Sequence, residues 1–304
     1  MTIISPAIPL PRWTDAAVVV EPPGVEAGAW SGAPSALLAD DGIYLAYRLR
    51  LPVDQGRGYA NVVAHSADGV TFRTIATVTK ERFGGESLER PALARTADGR
   101  WRLYVSVATP GTKHWRVDLL EADTPAELAG AVPRTVLPGD EHVGVKDPVL
   151  LAADDGWHLW ASCHPLETWA HADRMTTEYA TSPDGVHWTW RGTALRGRPG
   201  QWDARGVRVS AVLRAGDELL AAYDGRASAE ENWEERTGTA RGRRAADGTF
   251  GPLTAEAEPP LGSPYPPHGL RYLSLVALPD GRHRMYYEAT RADGAHELRT
   301  ELVN

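Results

Sequence analysis

Residues 147–163 read DPVLLAADDGWHLWASC: an X-Pro pair, an apolar run, an Asp-Gly dipeptide and a second run rich in aromatics. The same grammar stands at residues 90–107, RPALARTADGRWRLYVSV, and at residues 33–49, APSALLADDGIYLAYRL. The X-Pro pairs open at positions 33, 90 and 147, a period of 57 residues, with the Asp-Gly at a near-constant distance behind each. One further step of 57 lands on Ala204, inside Trp202-Asp203-Ala204-Arg205-Gly206, which precedes VRVSAVLRAGDELLAAY. A last copy, RYLSLVALPDGRHRMYYEA at 271–289, is displaced by a Pro-rich insertion around 258–267. Self-similarity at a fixed period of this length is the mark of a repeat architecture.

Each run is short, rich in β-branched and aromatic residues, and closed by a turn dipeptide, so each copy predicts an antiparallel hairpin. Between the hairpins lie further strand pairs around ADGV at 67–70, PDGV at 183–186 and ADGT at 246–249. Each unit therefore holds about four strands, with no sustained helical periodicity. Four-stranded antiparallel sheets repeated about a centre define an all-β, five-bladed β-propeller as one domain. The blades are expected at roughly 30–80, 86–138, 144–197, 203–255 and 268–304, with the N-terminal segment a candidate to complete the last one. Successive strands reverse direction, so the Asp-Gly turns share one face. The X-Pro segments and the irregular loops between second and third strands share the other, where function is expected.

Composition excludes several classes. The net charge of −8 speaks against nucleic acid or an anionic membrane as partner. No stretch reaches the length of a membrane span. The start, MTIISPAIPLPRW, has neither a basic region nor a sustained apolar one, so no signal peptide is expected and the default location is the cytoplasm. The one cysteine, Cys163, cannot form an intrachain disulfide, and at the end of an apolar strand it reads as a buried, inert thiol. There is no Gly-rich phosphate loop, no G-x-S-x-G elbow and no H-E-x-x-H. His164, His171 and Asp173 match no standard ligand spacing, so the sequence indicates neither cofactor nor metal. A central structural cation would suit the fold, but no motif calls for one. Eleven Trp and ten Tyr against three Phe fit aromatic-rich strands and also a sugar-binding cleft.

The whole chain resembles the five-bladed propeller glycosidases of glycoside hydrolase families 43, 32 and 130. The resemblance is carried by Lys146-Asp147-Pro148, by Ser-x-Asp-Gly-x-x-Trp/Phe at 66–72 and 182–188, and by Tyr223-Asp224-Gly225 and Tyr286-Tyr287-Glu288-Ala289. It implies a central funnel with acidic residues from the starts of blades one, three and four: a base, a pKa-tuning Asp and a general acid. Asp147 matches the blade-three residue. Asp203 stands near the blade-four position, as Asp rather than Glu. Blade one departs from the pattern, with Ala33-Pro34 where Asp-Pro is expected. Glycoside hydrolysis ordinarily needs two carboxylates, so the loss requires a substitute, and Glu89, with Glu86 behind it, is the nearest.

The expected acidic set is therefore Glu89, Asp147 and Asp203. Arg90, Lys146, Arg205, Arg208 and Arg271 gather at strand-one starts, either to bind a carboxylate or phosphate on the substrate or to pair with those acids. Asp224 and Trp233 lie on the loop expected to rim the funnel, Trp233 as a platform for a sugar face. His268, Tyr272 and Glu288 of blade five complete the expected substrate contacts. Three readings stay open on these residues. One is a glycosidase-like hydrolase of a small glycoside or oligosaccharide, neutral or anionic. Another is a lyase, isomerase or cyclase of an anionic substrate. The last is a propeller that binds carbohydrate or metabolite without converting it.

Overall fold

The computed structural model describes residues 7–303; residues 1–6, on which part of the expectation about a leader rests, and Asn304 lie outside it. Strand β1 (Ala17–Val20) comes first, ahead of four strands that form blade one: β2 (Trp30–Ala39), β3 (Gly42–Arg50), β4 (Gly58–Ser66) and β5 (Arg73–Thr79). Blade two holds β6 (Ser87–Arg95), β7 (Trp101–Ala108), β8 (Trp115–Ala122) and β9 (Arg134–Leu137). Blade three holds β10 (Val143–Ala153), β11 (Gly156–Pro165), β12 (Thr176–Ser182) and β13 (Thr189–Leu195). Blade four runs β14 (Gly206–Ala215), β15 (Glu218–Arg226), β16 (Arg236–Arg243) and β17 (Thr254–Ala255). Blade five has β18 (Leu270–Ala277), β19 (His283–Thr290) and β20 (His296–Val303), and β1 pairs antiparallel with β20 as its outer strand.

The structure is thus the all-β, five-bladed propeller that the repeat predicts. Among the described residues the only helical pieces are four 3-10 turns, and no helix is long and apolar enough to cross a membrane.

Five apolar clusters hold the ring, one at each junction between blades. Leu103, Val105 and Leu120 of blade two meet Ala46, Val63 and Val78 of blade one. Leu159 and Ala161 meet Tyr104 and Val117, and Tyr223 and Val209 meet Trp160 and Tyr179. Met285 and Tyr287 meet Leu220 and Ala222, and Leu45 and Val62 close the ring against Tyr286 and Leu298. Because each sheet is apolar on both faces, every blade needs two neighbours.

Turn chemistry fixes one face. Gly69 N–H donates to Ser66 Oγ at 2.8 Å, and Val70 and Thr71 N–H donate to Asp68 Oδ1 at 2.8 Å each. The same pattern recurs at Ser182, Asp184 and Gly185. Neighbouring blades lock onto these turns: Tyr286 Oη donates to Gly69 O at 2.8 Å, and Tyr104 Oη to Gly185 O at 2.7 Å. The Ser-x-Asp-Gly motif is therefore a self-satisfied turn with a docking carbonyl.

Every innermost strand carries a bulge near the axis: between Gly32 and Ser35, Leu88 and Pro91, Lys146 and Val149, Val209 and Ala211, and Arg271 and Ser274. In blades one and three the bulge contains the X-Pro, and in blade two Pro91 closes it; a proline has no N–H to give the ladder. Ala33, Asp147 and Tyr272 sit in the bulges with φ of 52°, 54° and 57°. The bulges aim five equivalent residues, Gly32, Glu89, Lys146, Arg208 and Arg271, toward the axis. Opposite them on the second strands stand Arg48, Ser106, Ser162, Asp224 and Glu288.

Candidate active site

Above this ring opens a cavity of about 410 Å³, lined by strand-one starts and by the loops joining second to third strands. Its charged lining is lopsided. Among the described residues Arg48, Arg50, Arg57, Lys113, Lys146, Arg205, Arg208, Arg226 and Arg271 face only three carboxylates, Glu89, Asp173 and Glu235. Trp30, Trp115, Trp169, Trp233 and Tyr272 supply the aromatic walls and floor.

The cations and acids interlock in a chain that crosses blade boundaries. Glu89 accepts from Arg48 Nη1 at 2.6 Å and from Ser87 Oγ at 3.0 Å. Arg48 reaches Glu288 with its other nitrogen at 3.3 Å, and Arg271 Nε donates to Glu288 at 2.7 Å. Arg271 and Arg226 share Glu235, at 2.8 and 2.6 Å. Asp173 takes both ends of the Arg205 fork, at 2.8 and 2.7 Å. On the other side Arg208 bridges Asp224, at 3.1 Å, and Asp147, at 3.3 Å, and Lys146 lies 3.5 Å from Asp147.

Burial and these pairs set the protonation states. Burial alone would push Glu89 up, but Lys146, Arg48 and Arg50 outweigh it and hold the carboxyl well below the usual range. Glu235 is held down in the same way against its burial by Arg271 and Arg226. Asp173 is held down by Arg205 and Arg226. All three carboxylates that face the cavity are therefore ionised. Asp224 is different: its burial outweighs Arg208 and raises its pKa. His164, whose Nδ1–H donates to Ala172 O at 2.7 Å, is pushed down to about 3 by burial and then by Lys146, so it is neutral.

Not all the expected site residues meet in the cavity. Glu89, Lys146, Arg205, Arg208, Trp233, Arg271 and Tyr272 line it. Asp147, Asp224 and Glu288 lie beneath the lining, fully buried, and act on the cavity through Lys146, Arg208, Arg271 and Arg48. Arg90 points along the axis away from the cavity, where its guanidinium donates to the carbonyls of Pro34, Ser210 and Leu273. His268 is exposed in the insertion before blade five, its Nδ1 bonded to Ser263 O, and it does not reach the cavity.

Asp203 requires a correction. It is fully buried in the connection before β14, accepting from Arg198 Nε and Tyr223 Oη at 2.8 Å each, and is not part of the lining. The counterpart of Asp147 in blade four is Val209, 62 residues on, because the connection from Leu195 to Gly206 is longer than the repeat allows. Gly32, next to Ala33 and at the blade-one place equivalent to Glu89, has a physical account of its own. A Cβ on Gly32 would lie 2.2 Å from Oε2 of Glu288, so glycine is what admits that carboxylate. Blade one gives the cavity Arg48 and Arg50 instead of an acid.

Several cavity residues carried no signal strong enough to single them out: Trp30, Arg48, Arg50, Lys113 and Trp115. The available cue is the alternation in Tyr47-Arg48-Leu49-Arg50, where two cations share one face at the axial end of a buried strand. Among the described residues no group of three or more His, Cys, Asp or Glu is placed to hold a metal ion.

No protein-family model matches the sequence, and no curated protein matches it. Solved structures do. A thermostable family-43 glycoside hydrolase superposes with a TM-score of 0.67 at 14% identity, over 90% of this chain and 88% of its own. The α-L-arabinofuranosidase from Lactobacillus brevis gives 0.66 at 15% identity, over 92% of each chain. A structure from the GH130 family of mannoside phosphorylases, which contains glycoside hydrolases that target β-1,2 mannosidic linkages in Candida mannan, gives 0.63 at 15% identity over 97% and 96%. The chain has the fold of the propeller glycosidases along nearly its whole length.

Proposed function

We propose that the axial cavity is the active site of a glycosidase-type enzyme acting on a small carbohydrate. The observation that carries this reading is Glu89, an ionised carboxylate facing an aromatic-walled cavity at the axis of a fold shared with solved glycosidases. Trp233 and Trp115 offer platforms for sugar faces, and the guanidinium and ammonium donors suit hydroxyl and acidic substituents. Glu89 is the nucleophile or the base that activates water, since a carboxylate held below its usual range cannot serve as the acid. Asp147 and Asp224 are positioning residues, fixing Arg208 and, for Asp147, Lys146. A screen of aryl glycosides and short oligosaccharides tests this. Turnover should fall at least 100-fold in Glu89→Gln, with binding retained. Undiminished turnover in that variant on a confirmed substrate overturns the assignment.

One observation favours a second reading. With Glu89, Asp173 and Glu235 all ionised, no cavity carboxyl among the described residues is ready to protonate a leaving oxygen. An elimination or isomerisation of an anionic sugar needs no such acid of ordinary carboxylic type, and the cations would stabilise charge that develops beside its acidic group. Reaction in oxygen-18 water separates the two, because hydrolysis puts the label in the product and elimination does not. Binding without conversion of any sugar would return the chain to the non-catalytic reading.

A further inference from the structure

Arg48 and Arg50 stand two residues apart on β3 and share one face of the strand. Arg48 is spoken for twice, by Glu89 and by Glu288. Arg50 has no carboxylate and no hydrogen-bond acceptor among the described residues, although it is only 5% exposed, and its Nε is buried without a partner. Its guanidinium instead lies 4.0 Å from the Trp30 ring centroid and 4.9 Å from that of Trp233. All three residues line the cavity. Two indoles hold a cation in place but do not neutralise it, and a desolvated guanidinium without an anion is unfavourable. Its surroundings show as much: burial outweighs the pull of Glu89 and lowers its pKa to about 9.

Among the described residues no lining carboxylate is free to supply the missing anion. Glu89 is bound to Arg48, Glu235 to Arg226 and Arg271, and Asp173 to Arg205 and Arg226. A second cation, Lys113, lies 5.2 Å from the Trp169 ring, again with no carboxylate partner among the described residues. The positive excess is therefore not an ion-pair network awaiting a count. It is a charge held beside the cavity for something that enters it. A neutral sugar would leave it uncompensated, whereas a carboxylate or phosphate would meet the two Nη groups in the geometry a guanidinium favours.

We propose that Arg50, braced by Trp30 and Trp233, is the seat for an anionic group, so that the cavity selects acidic sugars over their neutral parents. The inference rests on reading the cavity as a carbohydrate site, and it names the chemical class that site takes.

Calorimetric titration of the intact chain tests it. The probes are D-glucuronate, D-galacturonate and glucose 6-phosphate, with D-glucose, D-galactose and inorganic phosphate for comparison. At least one acidic sugar should bind about tenfold or more tightly than its neutral parent, with a preference that weakens as salt rises. The uronate and phosphate arms tell which acidic group the seat accepts. R50Q should erase the preference while leaving the weak binding of the neutral sugar in place, and R50K should keep part of it. Equal binding of acidic and neutral sugars by the unsubstituted protein overturns the proposal, as does the absence of any binding by the acidic probes at millimolar concentration. These two measurements need no variant to fold. An unchanged preference in folded R50Q overturns the role of Arg50. Inorganic phosphate binding more tightly than every sugar overturns the carbohydrate class. Acidic sugars that bind but are never turned over leave the seat intact and count against the enzyme reading alone.

Discussion

Ser182 with Asp184 on one face of the ring, and Arg48 with Glu89 on the other, are both held by hydrogen bonds to a carboxylate, but they are assembled in opposite ways. Asp184 takes its partners from Ser182, Val186 and His187, all within three residues. Glu89 takes Arg48 from 41 residues away, and Arg48 takes Glu288 from 240. The turn face is built blade by blade from local chemistry. The cavity face is complete only when the ring is closed, because key charges there are answered across blades. Arg48 of blade one is answered by Glu89 of blade two and Glu288 of blade five, and Arg208 of blade four by Asp147 of blade three. Damage on the first face should therefore stay local, and damage on the second should propagate.

The axis offers the strongest test of that contrast. Arg90 joins three other blades through the carbonyls of Pro34, Ser210 and Leu273, so R90M should lower stability by about 3 kcal/mol or more in urea unfolding. A loss under 1 kcal/mol would show that the blades hold together without the axial guanidinium. Acid should act next. His164 is held neutral with a pKa of about 3, whereas in the unfolded chain it takes up a proton below its ordinary value near 6.5. The unfolded state then binds more protons, so stability falls as pH drops between 6.5 and 3, by about 1.4 kcal/mol per unit. Between pH 6 and 4 this component should disappear in His164→Asn, which keeps a donor for Ala172 O; identical slopes in the two proteins would refute it. His158, also lowered by burial, is common to both and cancels in the comparison.

A double-mutant cycle on Arg48→Gln and Glu89→Gln should return a coupling of about 2 kcal/mol, as expected for a buried charge pair that crosses blades. A coupling near zero would mean that Glu288 and Ser87 suffice for the two groups. The smallest effect belongs to the turn face. Asp184→Ala should lose about 1 kcal/mol, with sugar binding untouched, since what it removes is a local turn. If that substitution alters binding in the cavity, the two faces are not independent.

This division also explains how much could be read in advance. The 57-residue repeat and the Asp-Gly and Ser-x-Asp-Gly turns are local devices, so their meaning is contained in a few consecutive residues, and they were enough to specify the ring. Glu89 and Lys146 occupy equivalent places 57 residues apart, and periodicity points to them directly, whereas Arg208 and Arg271 hold the same places in blades four and five but fall off the count. Asp203 is where periodicity misleads: the connection before β14 is longer, and the acid that the count selects lies off the axis with Tyr223. Arg50 was hidden for another reason. In sequence it is one basic residue at a strand end, and only the positions of Trp30, Trp233 and the already occupied carboxylates set it apart. Whether a charge is answered depends on the folded arrangement, not on its neighbours along the chain.

The outer strand of blade five has a temporal consequence. Val18 pairs with Arg299, and the backbone amides of Arg12 and Trp13 donate to the carboxylate of Glu301. Residues 12–20 leave the ribosome ahead of blade one, yet their partners in β20 leave only after the other four blades. Vectorial folding can build the blades in order, but it cannot join the ring. Until blade five is in place, blade one lacks its neighbour, Glu288 of β19 is absent from beside Gly32, and Arg48 has one of its two carboxylates. A nascent chain thus lacks a complete cavity, which is born in the same event that makes the circle.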